Sequence, residues 1–87
     1  MDNASAQDHG TEVFEAFRQR AAEVLDIDVT LVTPDARLGE TLHADSVDLI
    51  EIAGLLERQF GIELEDRELY DLETVRDFVE LIVRKRR

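Results

Sequence analysis

The sequence predicts an all-α fold, a four-helix bundle of three long helices and one short helix, with a long loop between the first two. Apolar residues recur at three- and four-residue steps in three separate segments, which is the period of a helix with one buried face. No segment alternates apolar and polar residues as a strand does, and no internal repeat is present. The length of 87 residues allows one small core and leaves no room for a second domain.

The first helix is predicted from the capping residue Thr11 to about Leu25. Residues 1–10 lack a periodic apolar pattern, so we expect a flexible leader there. The folded domain is expected over residues 11–83. The buried stripe of the first helix consists of Val13, Phe14, Phe17, Ala21, Val24 and Leu25.

A long loop follows the first helix, from Asp26 to Ala44. The helical period stops there, and Thr33-Pro34-Asp35 marks a turn because Pro lacks an amide donor and disfavours helix in the residue before it. Loops longer than about 12 residues are uncommon in compact domains unless they are held in place or functional. We expect apolar side chains to hold this loop on the core, namely Val29, Leu31, Val32, Leu38 and Leu42.

The second helix is predicted to begin at Asp45 or Ser46 and to end at Phe60, before a Gly61 that suits a left-handed helix end. At about 100° per residue, one face of this helix collects most of the large apolar side chains. The opposite face is mixed and is acidic near the helix start, so it is the face that a partner could use. The apolar face consists of Leu49, Ala53, Leu56 and Phe60, flanked by Ile50 and Ile52.

Two further helical segments are predicted after Gly61. Residues 66–72 are expected to form one or two turns, and a last helix opens with Thr74 and Asp77 at capping-box spacing, although Glu or Gln is the usual second residue of that motif. The basic residues 84–87 are expected to form a tail that is a solvated helix end. The apolar stripe of the last helix consists of Val75, Phe78, Val79 and Ile82.

The composition excludes several classes of function. The net charge is -11, and all 21 acidic residues lie before Arg84, so we expect basic protein partners and no nucleic acid. The chain has no cysteine, and its acidic residues lack the spacing of a calcium loop, so no metal site is expected. The polar N-terminal segment and the lack of a long apolar run predict a cytoplasmic protein without membrane insertion. We also expect a monomer.

Catalytic motifs are missing, but one serine has a distinctive position. His9 and His43 lie in no nucleophile motif, so an enzyme is not expected. Ser46 opens the most clearly patterned helix, where Ser46 or Asp45 could simply be the N-cap. The same position also suits an anion, because a phosphodiester on Ser46 would lie beside unpaired backbone N–H groups at the positive end of the helix dipole.

The residues around Ser46 resemble a known family. The run Leu42-His43-Ala44-Asp45-Ser46-Val47 is similar to the Leu-Gly-Ala-Asp-Ser-Leu signature of acyl carrier proteins. Further similarities occur at the spacings of that family, and the match covers roughly residues 12–83. They are Val32-Thr33-Pro34-Asp35-Ala36 and Leu38 upstream, and Glu51, Phe60-Gly61-Ile62 and Thr74-Val75 downstream.

The resemblance implies a carrier that serves separate enzymes. A phosphopantetheinyl transferase would attach 4′-phosphopantetheine from coenzyme A to Ser46, and the transferase would supply the metal and the base. Acyl groups would then be carried as thioesters on the terminal thiol of that arm, which suits a chain without cysteine. Partner enzymes would include acyl-loading, acyl-elongating and acyl-transferring enzymes with basic docking patches.

The resemblance also implies two sets of residues around the second helix. The partner-binding residues would be Asp45, Val47, Asp48, Glu51, Gly54 and Leu55. The acyl-chain pocket would consist of Ile50, Ala53, Leu56, Val75, Phe78 and Val79, with the small Ala53 leaving space. Asp48 and Glu51 lie off the buried stripe, so we expect charge reversals there to leave the fold intact.

Three departures from the family pattern bear on the pathway. His43 replaces the usual Gly, Val47 replaces Leu or Met, and Gly54 replaces an apolar contact residue at a cost to the helix of about 1 kcal/mol relative to Ala. They favour a specialised pathway over general lipid synthesis, with fatty-acid, polyketide and related pathways all open. Two other interpretations are a carrier of aminoacyl or aryl groups and an unmodified acidic interaction module in which Ser46 is only a cap.

Overall fold

The fold is all-helical, as the sequence predicts. The computed structural model describes the backbone of residues 2–86 and the side chains of residues 10–86. Within that part of the chain the only strand-like pairing is an isolated antiparallel bridge between Arg37 and Thr74. The helices are α1 (Asp2–Leu25), α2 (Ser46–Phe60), α3 (Asp66–Tyr70) and α4 (Val75–Arg86), with a 3-10 turn at Val29–Leu31.

Helix α1 begins well before the predicted boundary at Thr11. The backbone is helical from Asp2, so Gly10 does not interrupt it. A glycine weakens a helix by about 1 kcal/mol, but unlike proline it keeps its amide donor and causes no clash. Met1 and the side chains of residues 2–9 lie outside the described part, so the role of residues 1–10 as a separate leader stays a prediction.

One apolar core joins the three long helices. Helix α1 packs against both α2 and α4, and the rings of Phe17 and Phe78 meet at its centre with centroids 4.9 Å apart and planes tilted by 51°. Such tilted aromatic pairs add about 0.5–1.5 kcal/mol beyond their buried area. The largest fully buried side chains are Phe17, Phe78, Ile52, Leu56, Leu69, Ile82, Val13, Val32 and Val75.

The basic end of α4 is packed against the bundle. Arg86 reaches Glu12 of α1 at 3.2 Å, and its guanidinium lies 4.7 Å from the centroid of the Phe60 ring at the end of α2. Lys85 pairs with Glu68 of α3 at 2.9 Å. Residues 84–86 are still exposed, which agrees with the solvated helix end expected over residues 84–87, but Lys85 and Arg86 are held by these contacts. Arg87 lies outside the described residues.

These contacts also fix the direction of the helices. The C-terminal ends of α2 and α4 both lie beside the N-terminal half of α1, so α1 runs antiparallel to the other two. Helices α2 and α4 consequently begin at the same end of the bundle. No helix within residues 2–86 is long and apolar enough to cross a membrane.

The loop between α1 and α2 is only partly held by the apolar side chains we predicted. Val32, Leu38 and Leu42 are buried, as expected. Val29 and Leu31 are 40% and 54% exposed, so that part of the prediction is wrong. The reason is that the whole 3-10 turn Val29–Leu31 lies on the surface, and Val32, the residue after it, enters the core in its place.

The same loop is hydrogen-bonded to the start of α4. The Leu38 amide donates to the Glu73 carbonyl at 2.8 Å, and the amides of Val75 and Arg76 donate to the carbonyls of Ala36 and Pro34, both at 3.0 Å. An ion pair between Arg76 and Asp35 supports this contact. The loop is thus fixed at the end of the bundle where α2 begins.

Candidate functional site

Helix α2 begins with a reciprocal cap made by two aspartates. Asp45 is the N-cap, and its Oδ1 accepts the amide of Asp48 at 2.9 Å. The Oδ2 of Asp48 in turn accepts the amide of Asp45 at 3.1 Å. The three-residue step from Asp45 to Asp48 is the sequence signal for this box. Our sequence analysis considered Asp45 only as a possible N-cap and did not pair it with Asp48.

Ser46 is the first helical residue after this cap, and its side chain is exposed. Among the hydrogen bonds of the described residues, none involves the Ser46 hydroxyl, and the amides of Ser46 and Val47 have no protein acceptor. Asp45 therefore does the capping, which decides between the two cap residues that the sequence left open. The Ser46 hydroxyl is free to react, and two unpaired N–H groups at the positive end of a 15-residue helix adjoin it.

His43 precedes this cap in an unusual backbone conformation. Its φ of 60° lies in the left-handed region, which costs a residue with a Cβ roughly 1 kcal/mol. This geometry explains physically why Gly suits the position in the family signature, since Gly adopts positive φ without that cost. Two hydrogen bonds fix the turn, from the His43 amide to the Gly39 carbonyl at 3.1 Å and from the Ala44 amide to the Leu38 carbonyl at 2.9 Å.

The residues predicted to bind partners differ in how they are placed. Val47 is 69% exposed beside Ser46, and Glu51 is exposed one turn further along α2. Gly54 and Leu55 are half-buried. A Cβ added at Gly54 would meet nothing within 4 Å, so no close approach inside this chain requires a glycine there.

Asp48 has a structural role that the sequence analysis did not reveal. We expected a charge reversal at Asp48 to leave the fold intact because the residue lies off the buried stripe. The structure shows that its carboxylate and amide both belong to the cap of α2. Replacing it with Lys removes an acceptor and puts a cation at the positive end of the helix, so the fold is expected to weaken.

The six residues predicted to line an acyl-chain pocket do not all face the interior. Four are buried in the shared core, namely Ala53, Leu56, Val75 and Phe78, and Val79 is half-buried against it. Ile50 is 38% exposed, whereas Ile52 is fully buried. On the helix wheel Ile52 falls about 60° from Leu49, on the side of Leu56, while Ile50 falls about 100° from Leu49 on the opposite side, at the edge of the face.

Among the described residues, no group of three or more His, Asp or Glu side chains could hold a metal ion. The arrangement instead offers a hydroxyl, two free amides and an acidic, partly apolar helix face. These features fit covalent attachment of a phosphodiester-linked group at Ser46, because the helix start tolerates the anion.

Comparisons with known proteins also indicate the attachment of a phosphate-linked group to this chain. A family model described as "Phosphopantetheine attachment site" matches residues 15–82. An acyl carrier protein from Thermosynechococcus vestitus is 37% identical over 75 residues, which cover 86% of this chain and 93% of that protein. One from Helicobacter hepaticus is 38% identical over 71 residues, covering 82% and 93%.

The fold also agrees with a solved structure of an acyl carrier protein. The crystal structure of an acyl carrier protein from Thermotoga maritima superposes with a TM-score of 0.77 at 25% sequence identity. The alignment covers 88% of this chain and 89% of that one. The similarity thus extends over nearly the whole length of both proteins.

Proposed function

The chain belongs to the acyl carrier protein family, a family of phosphopantetheine-bearing carriers, and we propose that Ser46 is the residue that bears its arm. The observation that supports this most is the division of labour at the start of α2. Asp45 caps the helix, so the exposed Ser46 hydroxyl has no structural role to give up when it is modified. Once bound, 4′-phosphopantetheine supplies a thiol that this cysteine-free chain lacks.

The Ser46 oxygen forms a bond to the phosphorus of the pantetheine phosphate while the pyrophosphate bond of coenzyme A breaks. The nucleotide leaves with the electron pair, and the serine proton passes to a base of the transferase. This chain contributes the accessible oxygen and the two free amides beside the new anion.

Intact mass spectrometry tests the attachment. The protein is incubated with coenzyme A, magnesium and a broad-specificity phosphopantetheinyl transferase, and one arm is expected per chain. Ser46→Ala is expected to gain none. Peptide mapping that located the arm on Ser5, the other serine of the chain, or found no arm at all, would overturn the proposal.

We further infer that partners dock on the acidic face of α2. Between Arg37 and Arg58 the chain has no Lys or Arg, and the exposed Val47 and Glu51 adjoin Ser46. A transferase or an acyl-handling enzyme with a basic patch would be steered to this face electrostatically. Asp45, Asp48, Gly54 and Leu55 complete the proposed face.

The cargo is proposed to be an acyl group of fatty-acid, polyketide or related specialised-metabolite biosynthesis. The departures at His43, Val47 and Gly54 favour a specialised pathway. Loading assays separate the pathways, since a specialised carrier is expected to accept the arm yet to be a poor substrate for enzymes of general fatty-acid elongation. Efficient elongation by those enzymes would contradict this preference.

The interior between α2 and α4 is proposed to take up part of the acyl chain, with Ile50 at the rim. Each methylene removed from water contributes roughly 0.8 kcal/mol, so the melting temperature of the loaded protein should rise with chain length. Ala53 is small and buried among the pocket residues, so Ala53→Leu should fill the space and flatten the trend. An unchanged slope in that variant would place the acyl chain elsewhere.

A further inference from the structure

His43 carries an imidazole that the bundle does not use. The left-handed turn at this position is set by backbone hydrogen bonds to Gly39 and from Ala44, and a glycine would adopt it more easily. The His43 side chain is exposed. Among residues 10–86, no hydrogen bond or ion pair joins its ring to another side chain. Non-glycine residues that the surrounding structure holds in sparsely populated conformations cluster at active sites and ligand-binding segments.

The surroundings of Ser46 make this ring chemically distinctive. His43 is the only residue between Arg37 and Arg58 with a nitrogen in its side chain. The charged neighbours in that stretch are all acidic, namely Glu40, Asp45, Asp48, Glu51 and Glu57. A phosphodiester placed on Ser46 would add one more negative charge to this set. The side-chain donor nearest in sequence that could compensate it, apart from hydroxyls, is the imidazole.

The distance is short enough for contact. Ser46 is the third residue after His43, so their Cα atoms lie at most about 11 Å apart even in a fully extended chain. The imidazole and the serine-linked phosphate each extend several ångströms from their own Cα atoms. The free amides of Ser46 and Val47 would bind the phosphate from the helix side, and the ring would approach it from the loop side.

Resting on the proposed attachment at Ser46, we propose that the imidazole of His43 donates a hydrogen bond to the phosphodiester of the arm. His43 is then a positioning residue, which restricts the first bonds of the arm relative to α2. The family signature has glycine at this position and cannot make this contact. The contact would be a property of this chain and of carriers with a comparable donor there.

Nuclear magnetic resonance of the apo protein and the arm-bearing protein tests the contact. The ring resonances of His43 are expected to shift on conversion by clearly more than those of His9, the only other histidine. Nuclear Overhauser effects are expected between the His43 ring and the protons of the arm nearest the phosphate. Unchanged His43 resonances together with absent Overhauser effects would overturn the proposal.

Two variants separate the contact from a structural effect of the turn. His43→Gly relaxes the backbone and removes the ring, so the arm methyls should become more mobile, with order parameters in the flexible range below about 0.6. His43→Asn tolerates the left-handed turn and keeps a donor, so it should restrict the arm more than His43→Gly does. Equal arm mobility in the wild type and His43→Gly would also overturn the proposal.

Mass spectrometry of the same samples keeps the two proposals distinct. If Ser46 gains the arm but the His43 contact is missing, only the contact proposal fails. If Ser46 does not gain the arm, the proposed attachment fails and the His43 contact fails with it. Both His43 variants are therefore compared only after intact mass has shown that each sample carries one arm per chain.

Discussion

Helices α2 and α4 begin at the same end of the bundle with similar caps. Only at the start of α2 are backbone amides left without acceptors, so we call that start open and the start of α4 closed. At α4 the first three amides all have acceptors: Val75 and Arg76 donate to loop carbonyls, and Asp77 donates to the Thr74 hydroxyl at 3.2 Å. At α2 the cap satisfies Asp48, while the amides of Ser46 and Val47 remain free.

The difference comes from the loop rather than from the helices. The loop carbonyls of Pro34 and Ala36 accept the first two amides of α4 and thereby close its start. The same loop then turns away at His43 and enters α2 without covering its first turn. A helix start of ordinary sequence can thus become a site when the tertiary structure leaves its donors uncovered.

The largest expected effects are opposite at Ser46 and Thr74, since one variant loses attachment of the arm and the other loses stability. Ser46→Ala should abolish attachment of the arm completely and change the free energy of unfolding by less than about 0.5 kcal/mol, because Ser46 is not the cap. Thr74→Ala should leave attachment intact and cost about 1 kcal/mol, because its hydroxyl caps α4. Mass spectrometry and urea unfolding of both variants check the pair. A clearly destabilised Ser46→Ala would show that the open start also has a structural role.

Asp77 is expected to be the costliest single cap residue. Its Oδ2 accepts two backbone amides, those of Glu73 and Thr74, both at 3.1 Å. Asp77→Ala should therefore lower the free energy of unfolding by about 1–2 kcal/mol, whereas Asp45→Ala, which removes one amide acceptor, should cost about 1 kcal/mol. Urea titrations give both values, and Glu80→Ala, on the exposed side of α4, is the control. A larger loss of stability in Asp45→Ala than in Asp77→Ala would contradict the inference that the start of α4 is the more fully capped of the two.

Charge reversal at the open start should separate folding from docking. Asp48→Lys is expected to cost about 1 kcal/mol of stability through the cap, and Glu51→Lys less than about 0.5 kcal/mol. Both should slow attachment of the arm several-fold at low salt, and the difference from wild type should shrink as salt screens the charges.

Glu63→Lys provides the matched control, because it makes the same charge change at an exposed position outside α2. Initial rates with the transferase at two salt concentrations are the measurement. If Glu51→Lys and Glu63→Lys slow the reaction equally, net charge matters and the α2 face does not.

The smallest expected effect is on the pH dependence of stability. The backbone amides of Glu73 and Thr74 hold the pKa of Asp77 below its ordinary value. Its stabilising contribution is therefore present above about pH 4, the unfolded-state value, and is lost as the pH falls through the lower folded-state value. Because Asp77 is only partly buried, screening by solvent keeps the contribution modest.

Unfolding free energies between pH 7 and pH 3 measure this contribution. The deficit of Asp77→Asn relative to wild type should be present at pH 7 and should shrink toward pH 3. Gly54→Ala introduces no titrating group and should add up to about 1 kcal/mol at every pH, since its Cβ has space. A deficit of Asp77→Asn that stayed constant with pH would show that the charge of Asp77 does not matter.

The sequence was sufficient where the determining interactions are local. The bounds of α2, its Gly61 end with φ 66°, and the Thr74–Asp77 cap of α4 all follow from residues within one helical turn of the feature. The resemblance around Ser46 likewise rests on a short run of residues.

Apart from the Asp45–Asp48 box, which is local and was missed, the main features that the sequence did not reveal depend on distant residues. The closure of α4 joins residues 34–38 to residues 73–76, and the packing of Arg86 joins it to Glu12 and Phe60. The apolar period of a helix indicates which of its faces is buried, but it does not indicate which distant residues come into contact. The exposure of Val29, Leu31 and Ile50 was missed because an apolar residue near a buried stripe still faces solvent when the local turn rotates it outward.

The packing of Arg86 against Phe60 has a practical consequence for immobilising the protein. Helix α2 rises about 1.5 Å per residue, so Ser46 and Phe60 are separated by roughly 21 Å along its axis. A surface tether attached beyond α4 would hold the molecule by the end remote from Ser46 and leave the arm pointing into solution. The tether needs a spacer long enough to avoid displacing Arg86 from the Phe60 ring and Glu12. Sensor chips and solid-phase loading of acyl groups would benefit from that orientation.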